Sequence, residues 1–215
     1  MRAGIDKTTQ LPRLRALFGA RRIFMSKVTH KAESRHSCTE ASRSPEDFQT
    51  IYREHYAAIW RFLLHLGVRK SDVPDVTHNV FLIAYRKLDE FEHRSTIRTW
   101  LCGIALRVAR KARKLAAVRL EVIESDIPIA AGRSADAADA LQQKQQLALA
   151  ERLLDALPAE QREVFVLHEL EQMTSPEIAE LTGSPVNTVR TRLKRARDAF
   201  RRRVAKLKEA GLLDV

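Results

Sequence analysis

Apolar residues recur at every third or fourth position along much of this chain, which is the period of an amphipathic α-helix. The pattern predicts a helix over Phe48–Leu66, a second over Ser71–Leu88 with its first residue as the N-cap, and a third over Ile97–Val118. Tyr85 and Leu115 fall on the apolar faces and are expected in the core. Three helices of this length can enclose one compact core.

The pattern changes after residue 118. Acidic and small residues dominate 119–146, which indicates a flexible linker, and two more helices are predicted near Leu141–Leu157 and from Pro158 onward. No strand is predicted. The expected fold class is all-α: two small helical domains joined by the linker. The predicted organisation is a basic, disordered extension at 1–45, helical domains at 46–118 and 147–204, the linker at 119–146 between them, and a tail at 205–215.

A helix-turn-helix is predicted from Thr174 onward. Thr174 is placed to N-cap a short helix, with Glu177 three residues later to close a capping box. Gly183 suits the left-handed turn, Ser184 the next N-cap and Pro185 the first position of the second helix. That helix is apolar on one face and cationic on the other, so it fits a DNA major groove. The second domain is therefore expected to be a four-helix, winged-helix-like DNA-binding unit, and a solvated helix in an ordinary bundle is the alternative.

The net charge indicates a polyanionic partner. The 215 residues carry a formal net charge of +11, and most of the excess lies before residue 119. The second domain is nearly balanced, so its positive charge is concentrated on one helix. This distribution favours a directed DNA-binding surface over a uniformly basic protein.

The cysteines and histidines do not fit a disulfide-stabilised or a zinc-binding protein. Two cysteines, Cys38 and Cys102, cannot form a disulfide framework, and Cys102 is expected to be a buried thiol. His30 and His36 do not complete a recognised zinc spacing with Cys38. No membrane span or signal peptide is predicted, so a cytoplasmic location is expected. Met25 is a second candidate for the translation start.

Three surfaces are candidates for binding. The outward face of the second helix carries an exposed apolar side chain among polar ones, which suits a protein partner as well as ordinary solvation. Its residues are Asp75, His78, Asn79, Leu82 and Arg86.

The third helix and the loop before it suit single-stranded DNA. A cationic stripe spans roughly 10 Å, enough for about three phosphates, and planar groups stand beside it. The loop supplies Phe91, His93 and Arg94, and the stripe consists of Arg107, Arg110, Lys111 and Lys114. A solvated basic face is the alternative.

The recognition helix supplies the third surface. Its first two turns carry Asn187, Thr188, Arg190, Thr191 and Arg192, where base edges come within reach, and Lys194 and Arg195 are expected at phosphates. Either arginine of the first two turns fits a base contact. No catalytic constellation, phosphate-binding glycine loop or metal cluster is predicted, so no enzyme activity, cofactor or metal is expected.

Three segments together resemble the extracytoplasmic-function sigma factors of bacterial RNA polymerase, over about Glu46–Val118 and Leu147–Val204. The segment DVTHNVFLIAYRKLDEF (Asp75–Phe91) resembles the element that docks on the β′ clamp helices. TWLCGIALRVARKARK (Thr99–Lys114) resembles the end of the element that reads the −10 promoter region. The segment from Leu157 to Arg197 resembles the domain that binds the −35 element.

The resemblance implies a factor that directs promoter-specific initiation by core RNA polymerase, with contacts to the β′ clamp helices and the β flap, and with an anti-sigma factor as regulator. The chain departs from the family at His78-Asn79, where Gln and an acidic residue are usual, and at Leu106-Arg107, where Arg-Asn is frequent. Two other classes remain open: a stand-alone helix-turn-helix regulator of duplex DNA, and a partner-sequestering helical protein.

Overall fold

The computed structural model describes residues 45–122, 149, 151–209 and 211, and these residues form helices with short connections, which confirms the all-α prediction. The first module, residues 45–122, consists of α1 (Pro45–His65), α2 (Val73–Arg86), a 3₁₀ turn (Leu88–Glu90) and α3 (Ile97–Val122). The second module, residues 149 and 151–209, consists of a helical segment at 151–155, α4 (Ala159–Phe165), a π-helical turn (Val166–Leu170), α5 (Ser175–Thr182) and α6 (Val186–Glu209).

Several predictions fall on other parts of the chain. The extension at 1–44 and residues 123–148 of the linker lie outside the described residues, as do His30, His36 and Cys38. Among the helices that the structure describes, none has the length and apolar character needed to cross a membrane.

The core of the first module forms where α1, α2 and α3 meet in pairs. Phe62, Leu63, Val80, Leu101 and Leu106 are almost completely buried there. The hydrophobic period places them on the facing sides of the three helices, which explains why the sequence pattern located this core. This packing holds α2 and α3 in fixed positions, with the opposite side of α2 toward solvent and that of α3 shared between solvent and the second module.

The core of the second module is built around two stacked rings. The rings of Phe165 and Phe200 lie 4.9 Å apart between centroids and join α4 to α6, while Ile178 brings α5 into the same core. Burial of an aromatic side chain of this size is worth several kcal/mol against truncation to Ala. The recognition helix α6 is therefore fixed by its buried face.

The predicted capping box and the left-handed glycine of the helix-turn-helix are confirmed. The Glu177 backbone N–H donates to Thr174 Oγ1, and the Thr174 backbone N–H donates to the Glu177 carboxylate, which is the reciprocal capping box. Gly183 ends α5 at φ 66°, in the left-handed region that favours glycine.

Two predicted caps are wrong by one residue. Asp72, not Ser71, precedes α2, and the Ser71 hydroxyl donates to the Asp72 carboxylate at 2.9 Å. The α6 helix begins at Val186, and the carbonyl of Pro185 accepts from the Val189 N–H at 3.1 Å. Adjacent Ser, Asp and Pro residues all suit helix starts, so the pattern alone does not separate them.

The predicted helix lengths and two core assignments also need correction. The α3 helix runs to Val122 and α6 to Glu209, beyond the predicted domain ends at 118 and 204. Tyr85 and Leu115 are 58% and 53% exposed and do not belong to the core. Each lies on the margin of an apolar stripe, where the period of 3.6 residues gives no sharp boundary.

Candidate nucleic-acid and partner interfaces

The outward face of α2 is fully available at the surface of the first module. All five side chains predicted there are exposed, and Leu82 has 42% of its surface accessible. Tyr85 lies one turn of helix from it and packs its ring against Phe48, 5.0 Å between centroids. Leu82 and Tyr85 thus extend the face into a small apolar spot with polar neighbours, named here the α2 face: Asp75, His78, Asn79, Leu82, Tyr85 and Arg86.

An aromatic cluster lies in the loop before α3. The ring of Phe91 lies 4.5 Å from that of His93 and 5.2 Å from that of Trp100, between centroids. His93 adopts φ 53°, a left-handed conformation that costs energy for a residue other than glycine. Arg94 is exposed and pairs with Glu92. The loop therefore presents planar groups on a constrained backbone. Trp100 of α3, which is not among the residues predicted to bind DNA, also belongs to this cluster.

The cationic stripe on α3 is divided between solvent and the second module. Arg107, Lys111 and Lys114 are exposed, and Arg107 Nε also donates to the Gly103 carbonyl at 3.2 Å. Arg110 instead donates from Nε and Nη2 to Oε2 of Glu163, at 3.1 and 2.6 Å. Three of the four predicted cations thus face water, and the fourth contacts a carboxylate of α4.

The recognition helix presents most, but not all, of its predicted residues outward. Arg192 is half-buried, donating to Ser184 Oγ at 3.2 Å and pairing with the Glu160 carboxylate at 2.5 Å. Thr188 is half-buried too. The exposed members of the set are Asn187, Arg190, Thr191, Lys194 and Arg195. The two arginines that the sequence could not separate therefore differ: Arg190 faces solvent and Arg192 braces the helix against α4.

A second brace anchors α6 through the π-helical turn. Arg197 donates from Nε to Glu169 Oε1 at 2.8 Å, and Nδ1 of His168 lies 3.3 Å from the same oxygen. Burial alone would raise the pKa of Glu169, but the hydrogen bonds and charges of His168 and Arg197 hold it at about 2. The carboxylate is therefore ionised across the physiological range and keeps its ion pair to the recognition helix.

The two modules contact each other through long side chains. The Glu163 side chain is only 5% exposed and lies between two guanidinium groups of α3, those of Arg110 and Arg113. Arg113 also donates to the Leu66 carbonyl at 2.8 Å, next to Gly67 at the end of α1. This cluster is named the Glu163 site: a buried carboxylate of the second module that two cations of the first module bind.

A second buried carboxylate, at the other end of the π-helical turn, also connects the two modules. Glu171 Oε2 accepts from Arg98 Nε at 2.8 Å and lies 3.9 Å from Cys102 Sγ. Cys102 is buried, as predicted, and burial, with the nearby Glu171 charge, raises the pKa of its thiol. Leu181 of α5 lies against Gly103 of α3, where a Cβ would meet its side chain.

A buried arginine completes the contact at the end of α1. Arg162 Nε donates to the His65 carbonyl at 2.5 Å, and Arg162 Nη1 pairs with Asp155 at 2.8 Å. Gly67, at φ 85°, turns the chain beside this guanidinium, where a Cβ would meet it. Burial lowers the pKa of His65 to about 4, and the charges of Arg162 and Arg61 act in the same direction.

The depressed pKa of His65 predicts an acid-sensitive fold. Because the unfolded chain binds a proton near pH 6.5 and the folded chain only near pH 4, stability is complete above pH 6.5 and falls as the pH drops toward 4. We expect this residue to contribute a loss of about 2–3 kcal/mol in the free energy of unfolding over that window. Denaturant unfolding of the chain at closely spaced pH values measures it.

The control for this effect is a variant that lacks the buried imidazole. His65→Gln should lose less stability than the native chain between pH 6.5 and 4. Parallel curves for the native chain and His65→Gln would refute the contribution of the buried imidazole.

Comparison with known proteins places the chain in a family. Residues 51–117 match the family described as Sigma-70 region 2, and residues 147–200 match Sigma-70, region 4. The chain is 34% identical over 150 residues to the ECF RNA polymerase sigma-E factor of Escherichia coli K12, covering 65% of this chain and 78% of that protein. It is 30% identical over 164 residues to the RNA polymerase sigma factor CnrH of Cupriavidus metallidurans, covering 73% and 86%.

Solved structures agree with the helical architecture. CnrH in complex with the cytosolic domain of CnrY is similar at a TM-score of 0.55 and 26% identity, covering 76% of this chain and 90% of that one. The sigma factor RpoE of Bartonella quintana, in complex with the anti-sigma factor NepR, has the same fold at a TM-score of 0.57 and 19% identity, covering 73% and 96%.

Proposed function

The chain belongs to the ECF sigma factors of RNA polymerase, and we propose from this premise how its surfaces divide the work of initiation. A sigma factor binds core RNA polymerase and directs transcription initiation at promoters. Such a protein needs a surface for the polymerase, one for the melted −10 strand and one for the −35 duplex. The α2 face, the α3 stripe with its aromatic loop, and the outward side of α6 meet these three requirements.

The α2 face is proposed to dock on the β′ clamp helices. Leu82 and Tyr85 provide exposed apolar surface at its centre, and Asp75, Asn79 and Arg86 surround them with hydrogen-bonding and charged groups. An apolar centre with a polar rim is the usual anatomy of a protein interface. His78 contributes a hydrogen-bonding ring where relatives usually carry Gln.

The −10 strand is assigned to α3 and the loop before it. Phosphates of a single strand would follow Arg107, Lys111 and Lys114, while unstacked bases meet the rings of Phe91 and His93. Base-aromatic stacking and cationic tracking of the backbone are the two interactions on which single-strand binding depends. Arg94 beside the rings, and Arg110 once it leaves Glu163, complete this surface.

The −35 duplex is assigned to the outward side of α6. Asn187, Arg190 and Thr191 lie in the first two turns, the part of a recognition helix that reaches base edges. Lys194 and Arg195 follow at phosphate positions. Arg192, by contrast, is proposed to position the helix through Glu160 and Ser184, and Thr188 supports the same turn from its half-buried position.

The remaining parts of the proposal follow from the relatives. CnrH and the Bartonella RpoE were solved with CnrY and the anti-sigma factor NepR, and we propose an anti-sigma factor as a partner of this chain too. Contact with the β flap, a cytoplasmic location and the absence of any catalysed reaction belong to the same proposal. The domain limits proposed are 45–122 for polymerase and −10 binding and 149–209 for −35 binding.

One observation carries this proposal: two separate cationic surfaces, on α3 and α6, are held on rigid helical modules beside an exposed apolar docking face. In vitro transcription with purified core polymerase over a promoter library tests it. We expect initiation only when core polymerase and the chain are both present, and only weak duplex binding by the chain alone. Tight, sequence-specific duplex binding without polymerase would favour the stand-alone regulator instead.

A further inference from the structure

The cationic stripe of α3 changes chemistry toward the C-terminal end of the helix. Arg107, Lys111 and Lys114 are exposed, and the residues that follow on the same side, Leu115 and Val118, are 53% and 52% exposed. At about 100° per residue, both apolar side chains lie within about 40° of Lys111 around the helix axis. The proposed −10 surface therefore continues directly into two apolar side chains, named here the apolar pair, which phosphates do not bind.

Internal contacts occupy other sides of this part of α3. The Ala116 carbonyl accepts from Arg69 Nη2 at 2.9 Å, and Arg113 donates to the Leu66 carbonyl at 2.8 Å and also binds Glu163. These contacts fix the rotation of the helix about its axis. The apolar pair is thereby held on the solvent side, together with the lysines of the stripe.

The spacing along the stripe is close to that of stacked base pairs. Helical rise places Val118 about 6 Å or less beyond Leu115 and roughly 16 Å beyond Arg107. Successive base pairs of B-form DNA lie about 3.4 Å apart. Leu115 and Val118 therefore match neighbouring base pairs, and the whole stripe covers about five of them.

The order of the surfaces along the chain places the apolar pair beside double-stranded DNA. The rings proposed to stack on melted bases, Phe91 and His93, lie in the loop before α3, at the opposite end of this helix from the apolar pair. The module proposed to bind the −35 duplex follows α3 in the chain, and the −35 element lies upstream of the −10 element. The C-terminal half of α3 is therefore expected at the duplex between the two elements.

We propose that the apolar pair enters the major groove of the duplex next to the melted −10 strand and binds the 5-methyl groups of thymines there. The inference rests on the proposed assignment of the −10 surface to α3. It adds the recognition of T·A base pairs by apolar contact to the stacking proposed for the melted bases.

A major groove that carries thymines offers both kinds of contact that this surface can make. The groove admits an α-helix between two phosphate rims, and the thymine methyl is an apolar group on its floor. Lys111 and Lys114 are placed for the phosphates, and Leu115 and Val118 for the methyl groups. A protein partner would need carboxylates around an apolar centre at the same spacing. The continuity of the apolar pair with a surface already assigned to DNA favours the DNA.

Exchange of thymine for deoxyuridine tests the contact directly, because the two bases pair identically and differ only in the methyl group. The probe is a promoter selected from the library with core polymerase, with T·A pairs placed at the five positions upstream of the −10 element and each thymine replaced singly. We expect the complex of chain and core polymerase to bind about four-fold more weakly at one or two adjacent replacements, each of which removes one buried methyl group.

Truncation of the apolar pair should abolish this preference. In Leu115→Ala/Val118→Ala, the ratio of the two Kd values should fall to about one, because no side chain remains to cover the methyl group. Lys114→Ala is the matched control from the same stripe. It should weaken binding to every one of these promoters and reduce the salt dependence, yet keep the preference for thymine. Thermal unfolding verifies that each variant is folded.

Three results would overturn the methyl contact. The first is equal affinity of the native complex for thymine and deoxyuridine at all five positions, and the second is a thymine preference that persists in Leu115→Ala/Val118→Ala. The third is loss of core polymerase binding by this variant without DNA, which would assign the apolar pair to a protein partner.

Transcription by the same complexes distinguishes this inference from the proposed function. Initiation by the native chain without any effect of the methyl groups would overturn the methyl contact alone and leave the sigma function intact. Failure to initiate with core polymerase at any promoter of the library would overturn both.

Discussion

Replacement of Leu82 by Asp should lower the affinity for core RNA polymerase at least about 100-fold and abolish promoter-dependent transcription. The loss combines two terms: burial of a leucine side chain contributes about 2 kcal/mol, and an unpaired carboxylate in its place is costly to desolvate. Together they exceed the ~2.7 kcal/mol that a 100-fold change in Kd represents. Leu82 is 42% exposed and supports no core, so the fold should lose no more than about 0.5 kcal/mol.

The measurement is a titration of labelled chain with core polymerase, accompanied by thermal unfolding of each variant. Leu115→Asp is the matched control, since Leu115 is a comparably exposed leucine on α3, outside the α2 face. It should assemble like the native chain. A folded Leu82→Asp variant that assembles normally would show that the polymerase binds elsewhere.

Truncation of Arg190 should change which −35 sequences are used, and truncation of Arg192 should not. Arg190 is exposed in the second turn of α6, whereas Arg192 is held by Glu160 and Ser184. A bidentate arginine-guanine contact discriminates by about 1–3 kcal/mol, so Arg190→Ala should flatten preference at one base pair by roughly 5- to 150-fold. Arg192→Ala should lower activity evenly, because it loosens the helix without removing a base contact.

Transcription from a set of single-base −35 mutants separates these outcomes. Lys194→Ala should weaken binding to all −35 sequences alike. It should also reduce the salt dependence of promoter binding by the amount expected for the loss of about one phosphate contact. Arg202→Ala, at an exposed cation three turns from the base-reading residues, serves as the control and should retain the native preference. An even loss across all bases for Arg190→Ala would rule out direct readout by this residue.

Local chemistry was the predictable part of this molecule. The capping box of Thr174 with Glu177 and the left-handed Gly183 depend on residues within a few positions of each other, and both formed as expected. The buried face of each long helix could be predicted from the period of 3.6 residues, because that period also relates residues close together in the chain. Helix starts at Ser71 and Ser184 were missed by one residue because neighbouring residues compete for the cap.

The interactions between modules were not predictable from the pattern. Arg110 and Glu163 are far apart in the chain, and both belong to charged surfaces that a single sequence assigns to solvent. The π-helical turn Val166–Leu170 adds to this, because its wider winding directs Glu169 to α6, and Glu171 just after it reaches α3. A period fixed at 3.6 residues cannot place such side chains.

The buried position of Cys102 makes the reactivity of its thiol a measure of how often the protein opens. Its thiol is covered by the first module and by Glu171 of the second, and burial, with that carboxylate, keeps it in the unreactive protonated form. Since only the thiolate attacks an alkylating reagent, loss of the carboxylate and entry of water would both speed the reaction. In a chain with Cys38 replaced by Ser, the rate at which the Cys102 thiol is alkylated therefore reports how often the protein exposes its interior.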